Sequence, residues 1–292
     1  MGDQHNNQDE KEFISYEKYM VPPQVETNWN HIKRLKNLEV RHKESIHDNN
    51  ELLAFKYMSA NRIIESIKNN EFVFVSPEKW RDPYETLFYN PSKEINGKFY
   101  NVKAACFALN HFENEEGMWH FSPFSSPDNN NPTVRVAFKI EKLIDSLKHH
   151  TDEHFYIYLA DVIYNELKED YNIFSPSTID DYIKHLLYKR IAYQHENELR
   201  LFAVKDSDIE IKDDGGGLLK LKVDDMSGII SKVTLPPIDT LVDGKRLCKD
   251  CYHALLESSN KDIKKQLEEL HIHVGYSHLY DLKVLENKGN QF

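Results

Sequence analysis

Glu196, Glu198 and Arg200 place two carboxylates and a guanidinium at alternate positions, directly ahead of the apolar run 201–204. Residues two apart on a strand project to the same face. If a strand begins a residue early, all three side chains point together. Carboxylates this close push one pKa up unless a cation such as Arg200 or Lys189 offsets them. The pair suits a reaction that develops positive charge on a sugar carbon. One carboxylate can stabilise an oxocarbenium ion or hold a ribose hydroxyl while the other orients the nucleophile. The same spacing fits an edge strand with an exposed charge ladder, and spacing alone does not choose between them.

Four further groups carry chemical potential. Lys56 and Tyr57 end the first expected strand of the domain, where a cation and a phenol can contact a pyrophosphate or stack on a base. Ser76-Pro77 and Arg81-Asp82-Pro83-Tyr84-Glu85 form a proline-punctuated loop. It either walls a pocket or is a turn in which Asp82 accepts local backbone bonds. Trp119, in Met118-Trp119-His120, is either an aromatic core anchor or a pocket wall. Cys248 and Cys251, with His253 nearby, supply one CxxC on an expected helix, whereas structural zinc wants two ligand pairs, so no metal is expected there. A nuclease built on Asp82, Glu85, Glu196 and Glu198 needs those carboxylates within a few ångströms around a divalent ion. The chain has no Walker motif, no GxGxxG and no ordered Ser-His-Asp set.

The elements that must position these groups read as α+β. Residues 1–25 are a polar, disordered lead, 26–50 an N-terminal helical extension, and 51–292 a single domain. Strands are expected near 52–57, 72–75, 102–109, 133–140, 155–162, 198–204 and 229–235. Helices are expected at 29–46, from an N-cap at Ser59 to Asn70, at 141–149, 178–193 and 247–270. Residues 209–211 and 218–223 are expected to form a hairpin with Asp213-Asp214-Gly215-Gly216-Gly217 as its turn, and the tail, 271–284, to add a last strand.

The 292 residues are 40% hydrophobic and 12% aromatic, enough for a substantial core. A net charge of −11 gives no broad grip on a phosphate backbone and argues against a general nucleic-acid coat. Three cysteines, a polar start and no run of membrane-spanning length point to a cytoplasmic protein with no membrane partner.

Taken in order, Phe55-Lys56-Tyr57, a helix, Phe72 to Pro77, Asp82-Pro83-Tyr84-Glu85, Cys106-Phe107, Met118-Trp119, and Lys189-x-x-x-Tyr193-x-x-Glu196-x-Glu198-x-Arg200 resemble the bacterial domain-of-unknown-function family 2971 over about residues 52–235. Arg81 stands where that family usually has Asn, Tyr193 where it usually has Trp, and the usual aromatic pair after Met118-Trp119 is missing. The family's strand order looks like that of ADP-ribosyltransferases, which implies a mixed, split β-sheet. The resemblance further implies NAD as substrate, with Lys56, Tyr57, Ser76, Trp119 and Arg200 around it. It makes Glu198 the catalytic carboxylate and leaves Glu196 to orient a protein, nucleic-acid or water acceptor. A toxin or antiphage effector is the implied role. The competing expectation is a catalytically inert module that binds a nucleotide or a regulatory partner protein in the same cleft, with the Glu pair and Arg200 as a structural ion network.

Overall fold

The structure is a computed structural model. It describes residues 25–29, 32–35, 52–80, 82–86, 89–109, 119, 131–165, 176–210, 217–238, 241–242, 245–246, 249–277 and 279. In chain order the strands are β1 (Val25–Trp29), β2 (Ile32–Leu35), β3 (Leu53–Ser59), β4 (Glu71–Val75), β5 (Lys93–Ile95), β6 (Lys98–Ala108), β7 (Thr133–Lys139), β8 (Phe155–Asp161), β9 (Ile163–Asn165), β10 (Tyr188–Arg190), β11 (Glu198–Ser207), β12 (Leu218–Lys222), β13 (Ile230–Leu235), β14 (Leu241–Val242), β15 (Lys245–Arg246) and β16 (Val274–Tyr276). The helices are α1 (Ala60–Asn69), α2 (Pro83–Thr86), α3 (Ile140–Leu147), α4 (Ile179–His185), α5 (Met226–Ile229) and α6 (Lys249–Glu269). The protein is α+β with a mixed, mostly antiparallel open sheet. No helix among the described residues is long and apolar enough to cross a membrane.

The longest strand path runs β1-β2-β8-β11-β6-β3-β7-β13-β16. β11 lies between β6 and β8 along most of its length, so it is buried on both faces. Leu199, Leu201 and Ala203 pack on the first face with Phe107, Ile157 and Leu159, under Ile63, Ile64 and Ile67 of α1, Leu143 and Ile144 of α3, and Ile263 and Leu267 of α6. Phe202 and Val204 face the other way, into a second core with Val102, Ala104, Tyr158 and Tyr182. A strand covered on both sides reads as a continuous apolar run, which is why 201–204 lacks clean alternation. Glu198 and Arg200, in phase with Phe202, belong to the second face.

The sheet forks at β6. Near its end Ala108 pairs with Phe55 of β3, and four residues earlier Ala104 pairs with Val75 of β4. β3 then continues along β7, whereas β4 lies along β12. The Leu109 N–H points to the Asn197 carbonyl on the β11 side. Backbone groups alternate along a strand, so the Cys106 carbonyl points into the fork, and there it accepts a hydrogen bond from the Lys56 ammonium at 3.1 Å.

Three expectations are corrected. Residues 25–29 and 32–35 are strands, with β2 parallel to β8, where the sequence suggested the end of a disordered lead (1–25), a helical extension (26–50) and within it an amphipathic helix (29–46); the remainder of 29–46 lies outside the described residues. Apolar residues among many charges carry both periodicities, and pairing with β8 selects the strand. Leu218–Lys222 pairs with β4, and the described residues of the expected partner strand, 209 and 210, are not in a strand; 211–216 lie outside the described residues. The described Gly217 instead has φ +60, and its carbonyl accepts the Ser76 N–H at 2.6 Å. The helix expected over 178–193 stops at His185, after which the chain enters β10, parallel to β9. The lead 1–24 and the first cysteine of the CxxC lie outside the described residues.

At the far end of β11, buried Asp206 gathers the turn before β8. His154 Nδ1 lies 2.6 Å from its Oδ1, the Tyr156 hydroxyl donates to its Oδ2 at 2.9 Å, and the Lys98 ammonium is at 3.5 Å. The hydrogen bond to Asp206 raises the His154 pKa. Burial works to raise that of Asp206, but His154 and Tyr156 outweigh it and hold the carboxyl below its usual range. The Asp206 contribution to stability is present above its unfolded pKa of about 3.9 and is lost as pH falls through the lower folded value. The His154 contribution is complete below its unfolded pKa of about 6.5 and is lost as pH climbs through the raised folded value. A His154→Asn chain should therefore lag wild type in urea midpoint most near pH 5.5, and the gap should narrow by pH 8.5. A gap independent of pH would mean that the pair does not carry the linkage.

Candidate functional site

Arg200 is the centre of the second face, 1% exposed. Its Nε donates to Glu198 Oε1 at 2.8 Å and Nη2 to Glu198 Oε2 at 3.1 Å, a two-pronged pair. Nη2 also donates to Glu85 Oε1, and Nη1 to the Leu186 carbonyl. The guanidinium lies over the Trp80 ring, 4.1 Å from its centroid. Glu85 reaches it from α2, a single turn whose start is set by Asp82: the Asp82 carbonyl takes the Glu85 N–H and its Oδ1 takes the Tyr84 N–H. Asp82 thus does accept the local backbone bonds of a turn.

Lys189 is the second cation. It sits in β10, which pairs with β9 so that Lys189 lies opposite Tyr164. Its ammonium is 3.0 Å from Glu198 Oε2, 2.6 Å from Glu196 Oε2 and 3.4 Å from Glu85 Oε1. The Glu198 N–H donates to the Tyr164 hydroxyl at 2.8 Å, which ties β11 to β9 at the mouth of the cluster.

The two glutamates meet, though not by strand alternation. Glu196 ends a 3-10 helix (Ile191–Glu196), and Asn197 follows with φ 40 in the left-handed region. Asn tolerates that conformation better than most residues. The turn takes Glu196 out of phase with Glu198, and Lys189 brings the carboxylates back together. Asn197→Val should cost about 1–2 kcal/mol through backbone strain while Asn197→Gly should be near neutral. Urea unfolding of both variants checks this, and equal losses would place the cost in side-chain contacts instead of the turn.

Burial works to raise the Glu198 pKa, but Arg200 and Lys189 outweigh it and hold the carboxyl below the usual carboxylate range. Burial raises Glu85, with Arg200 opposing and Glu198 adding. For Lys189 burial works downward, and Glu198, Glu85 and Glu196 outweigh it, so the ammonium stays charged. Burial also pushes the Cys106 thiol up, directly across the ladder from Arg200. Glu198 is 4% exposed with both oxygens engaged, while the Glu196 side chain keeps 26% of its surface open.

Next to Glu196 the surface is aromatic and cationic. The Arg190 guanidinium lies 4.6 Å from the Tyr84 ring centroid and 5.2 Å from that of Tyr193, and its Nε donates to Asp82 Oδ2 at 3.0 Å. Tyr193 stacks beside His195 at 6.5 Å and lies 5.1 Å from the Lys189 ammonium.

The remaining sequence candidates fall in three places. Tyr57 shares the face of Glu198 and meets Trp119 edge-on at 5.1 Å. Lys56 projects to the opposite face, over Phe107, and reaches back only to the Cys106 carbonyl, where burial lowers its pKa. Ser76 is fully buried and donates to the Tyr89 hydroxyl at 2.9 Å, outside the ion cluster. Sequence reading missed Trp80, Tyr164 and Arg190. Only Arg190, adjacent to Lys189 in the focal stretch, carried a signal. Among the described residues no group of three or more His, Cys, Asp or Glu could hold a metal ion. The carboxylates that a nuclease would use are instead neutralised by Lys189, Arg190 and Arg200.

No protein-family model, curated protein or solved structure matches the chain.

Proposed function

We propose that the chain binds a nucleotide at the Glu196 edge of the ion cluster and cleaves its N-glycosidic bond, as a cytoplasmic NAD-dependent ADP-ribosyltransferase or NAD glycohydrolase. The observation that carries this reading is Lys189 holding Glu196 and Glu198 on one ammonium, at 2.6 and 3.0 Å, beside the Tyr84–Arg190–Tyr193 stack. The forked sheet supports the likeness to the split sheet of ADP-ribosyltransferases.

Glu196 is the group that reaches the substrate, because its carboxylate is partly open. Glu198 becomes the positioning group that fixes Lys189 and Arg200. In the reaction the bond between ribose C1′ and the nicotinamide nitrogen breaks, and both electrons leave with neutral nicotinamide. The oxocarbenium ion at C1′ is stabilised by the Glu196 carboxylate. An acceptor oxygen or nitrogen then bonds to C1′, and its proton passes to Glu196. A toxin or antiphage effector is the role that fits such an activity.

One observation favours the alternative, a catalytically inert binding module: both Glu198 oxygens are already engaged by Arg200 and Lys189. Release of nicotinamide from labelled NAD, with water and with candidate protein and nucleic-acid acceptors, separates the two. If wild type and Glu196→Gln leave NAD equally intact with every acceptor, the transferase reading fails and the binding module stands.

A further inference from the structure

The second face continues past the ion cluster onto β3 and β7, where a set of side chains is not used by it. Register places Ser59 opposite Thr133, Tyr57 opposite Arg135 and Phe55 opposite Ala137. Phe55 pairs with Ala108, which pairs with Glu198, so alternation puts Tyr57, Thr133 and Arg135 on the Glu198 side of the sheet. The Arg135 guanidinium lies 3.6 Å from the Phe55 ring centroid, and the residue is 5% exposed. Trp119, also 5% exposed, packs against Tyr57. Among the described residues, two buried polar atoms here have no hydrogen-bond partner: Nε1 of Trp119 and Oγ1 of Thr133, the latter residue 6% exposed. Folded proteins rarely bury an indole N–H or a hydroxyl unpaired, and each such atom asks what completes it.

We propose that Thr133, Arg135 and Trp119 bind the phosphate groups of the nucleotide. A guanidinium, an indole N–H and a hydroxyl are all donors, and a phosphate is a dense set of acceptors with negative charge. β7, which carries Thr133 and Arg135, is three inter-strand spacings from Glu198 on β11, about 14 Å, a length that a dinucleotide can span to reach the carboxylates. The dinucleotide identity rests on the function proposed above; the phosphate chemistry does not.

Calorimetric titration of the full chain with ADP and with NAD tests the site. Thr133→Val removes one polar atom and keeps the shape, so it should fold and melt no lower than wild type; Trp119→Phe removes the indole N–H with part of the ring, so it should fold but melt somewhat lower. Each should weaken ADP binding about 3- to 10-fold, the effect of one hydrogen bond. Arg135→Met should weaken it about 30-fold or more. His154→Asn, at the other end of the sheet, should leave it unchanged. If Thr133→Val and Trp119→Phe bind ADP as wild type does, the phosphate site is overturned, and NAD cleavage by Glu196 can still stand. If ADP binding follows these three residues but NAD is never consumed, the phosphate site stands and the transferase reading falls. If wild type binds neither ADP nor NAD, both fall.

Discussion

Replacing Arg200 with methionine should lower the free energy of unfolding by about 3–5 kcal/mol, the usual cost of removing one partner of a buried ion pair. Methionine fills most of the same volume under Trp80, so the loss is electrostatic. Glu198 and Glu85 remain in a buried site with only Lys189 to offset them. A typical domain has about 5–15 kcal/mol in total, so the variant should be near its folding threshold. Two features identify the cause. The deficit should shrink as pH falls from 8 to 5, because the stranded carboxyls can then protonate and their pKa values must rise without Arg200. Adding Glu198→Gln and Glu85→Gln to Arg200→Met should recover a large part of the loss, since the cost lies in the uncompensated charge. Urea unfolding of the single and triple variants at both pH values measures this. A single-variant loss under about 1 kcal/mol would mean that the cluster is hydrated and the tight pairing described above is wrong.

The second large effect is on activity. Glu196→Gln should reduce NAD consumption about 10²- to 10⁴-fold, the range for removing a positioned acid–base group. It should leave the urea midpoint near wild type, because the Glu196 side chain is partly open and Lys189 keeps Glu198 and Glu85. Glu198→Gln should behave differently and lose stability as well as rate, because it removes the charge that both Arg200 and Lys189 engage. The split between rate alone and rate with stability distinguishes the group facing substrate from the group that positions it. If Glu198→Gln retains stability and loses all turnover while Glu196→Gln is fully active, the roles are reversed and Glu198 is the carboxylate that meets the ribose.

Much of the core was legible because its periodicity is strong. The apolar residues Ile63, Ile64 and Ile67 recur at helical spacing, and Ser59 stands at the N-cap of α1 as expected. β11 was visible as an apolar run, with Arg200 as a charge inside it. The pairing of that charge was not legible. Glu85 is 115 residues away from Arg200 in the chain, and no local pattern reports such a contact. Alternation suggested that Glu196 and Glu198 share a face, but a single left-handed residue, Asn197, breaks that phase. The short apolar strand β12 could be joined on paper to its nearest neighbour in sequence. Only the three-dimensional arrangement shows that its partner is β4. Helical and strand periodicities are equally weak in the charged stretch 29–46, and there the parallel ladder with β8 decided the outcome over the described part.

The fork at β6 sets a spacing. Glu198 stands on β11, along the unforked side of β6, and Thr133 and Arg135 stand on β7, in the arm that begins with β3. That arm joins β6 at the Phe55–Ala108 pair, with the Lys56 ammonium on the Cys106 carbonyl. Any splaying of the fork therefore lengthens the distance between the two half-sites without disturbing the β6–β11 ladder. On the function proposed above, the span open to a dinucleotide would then depend on how far the Lys56 hydrogen bond lets β3 part from β6.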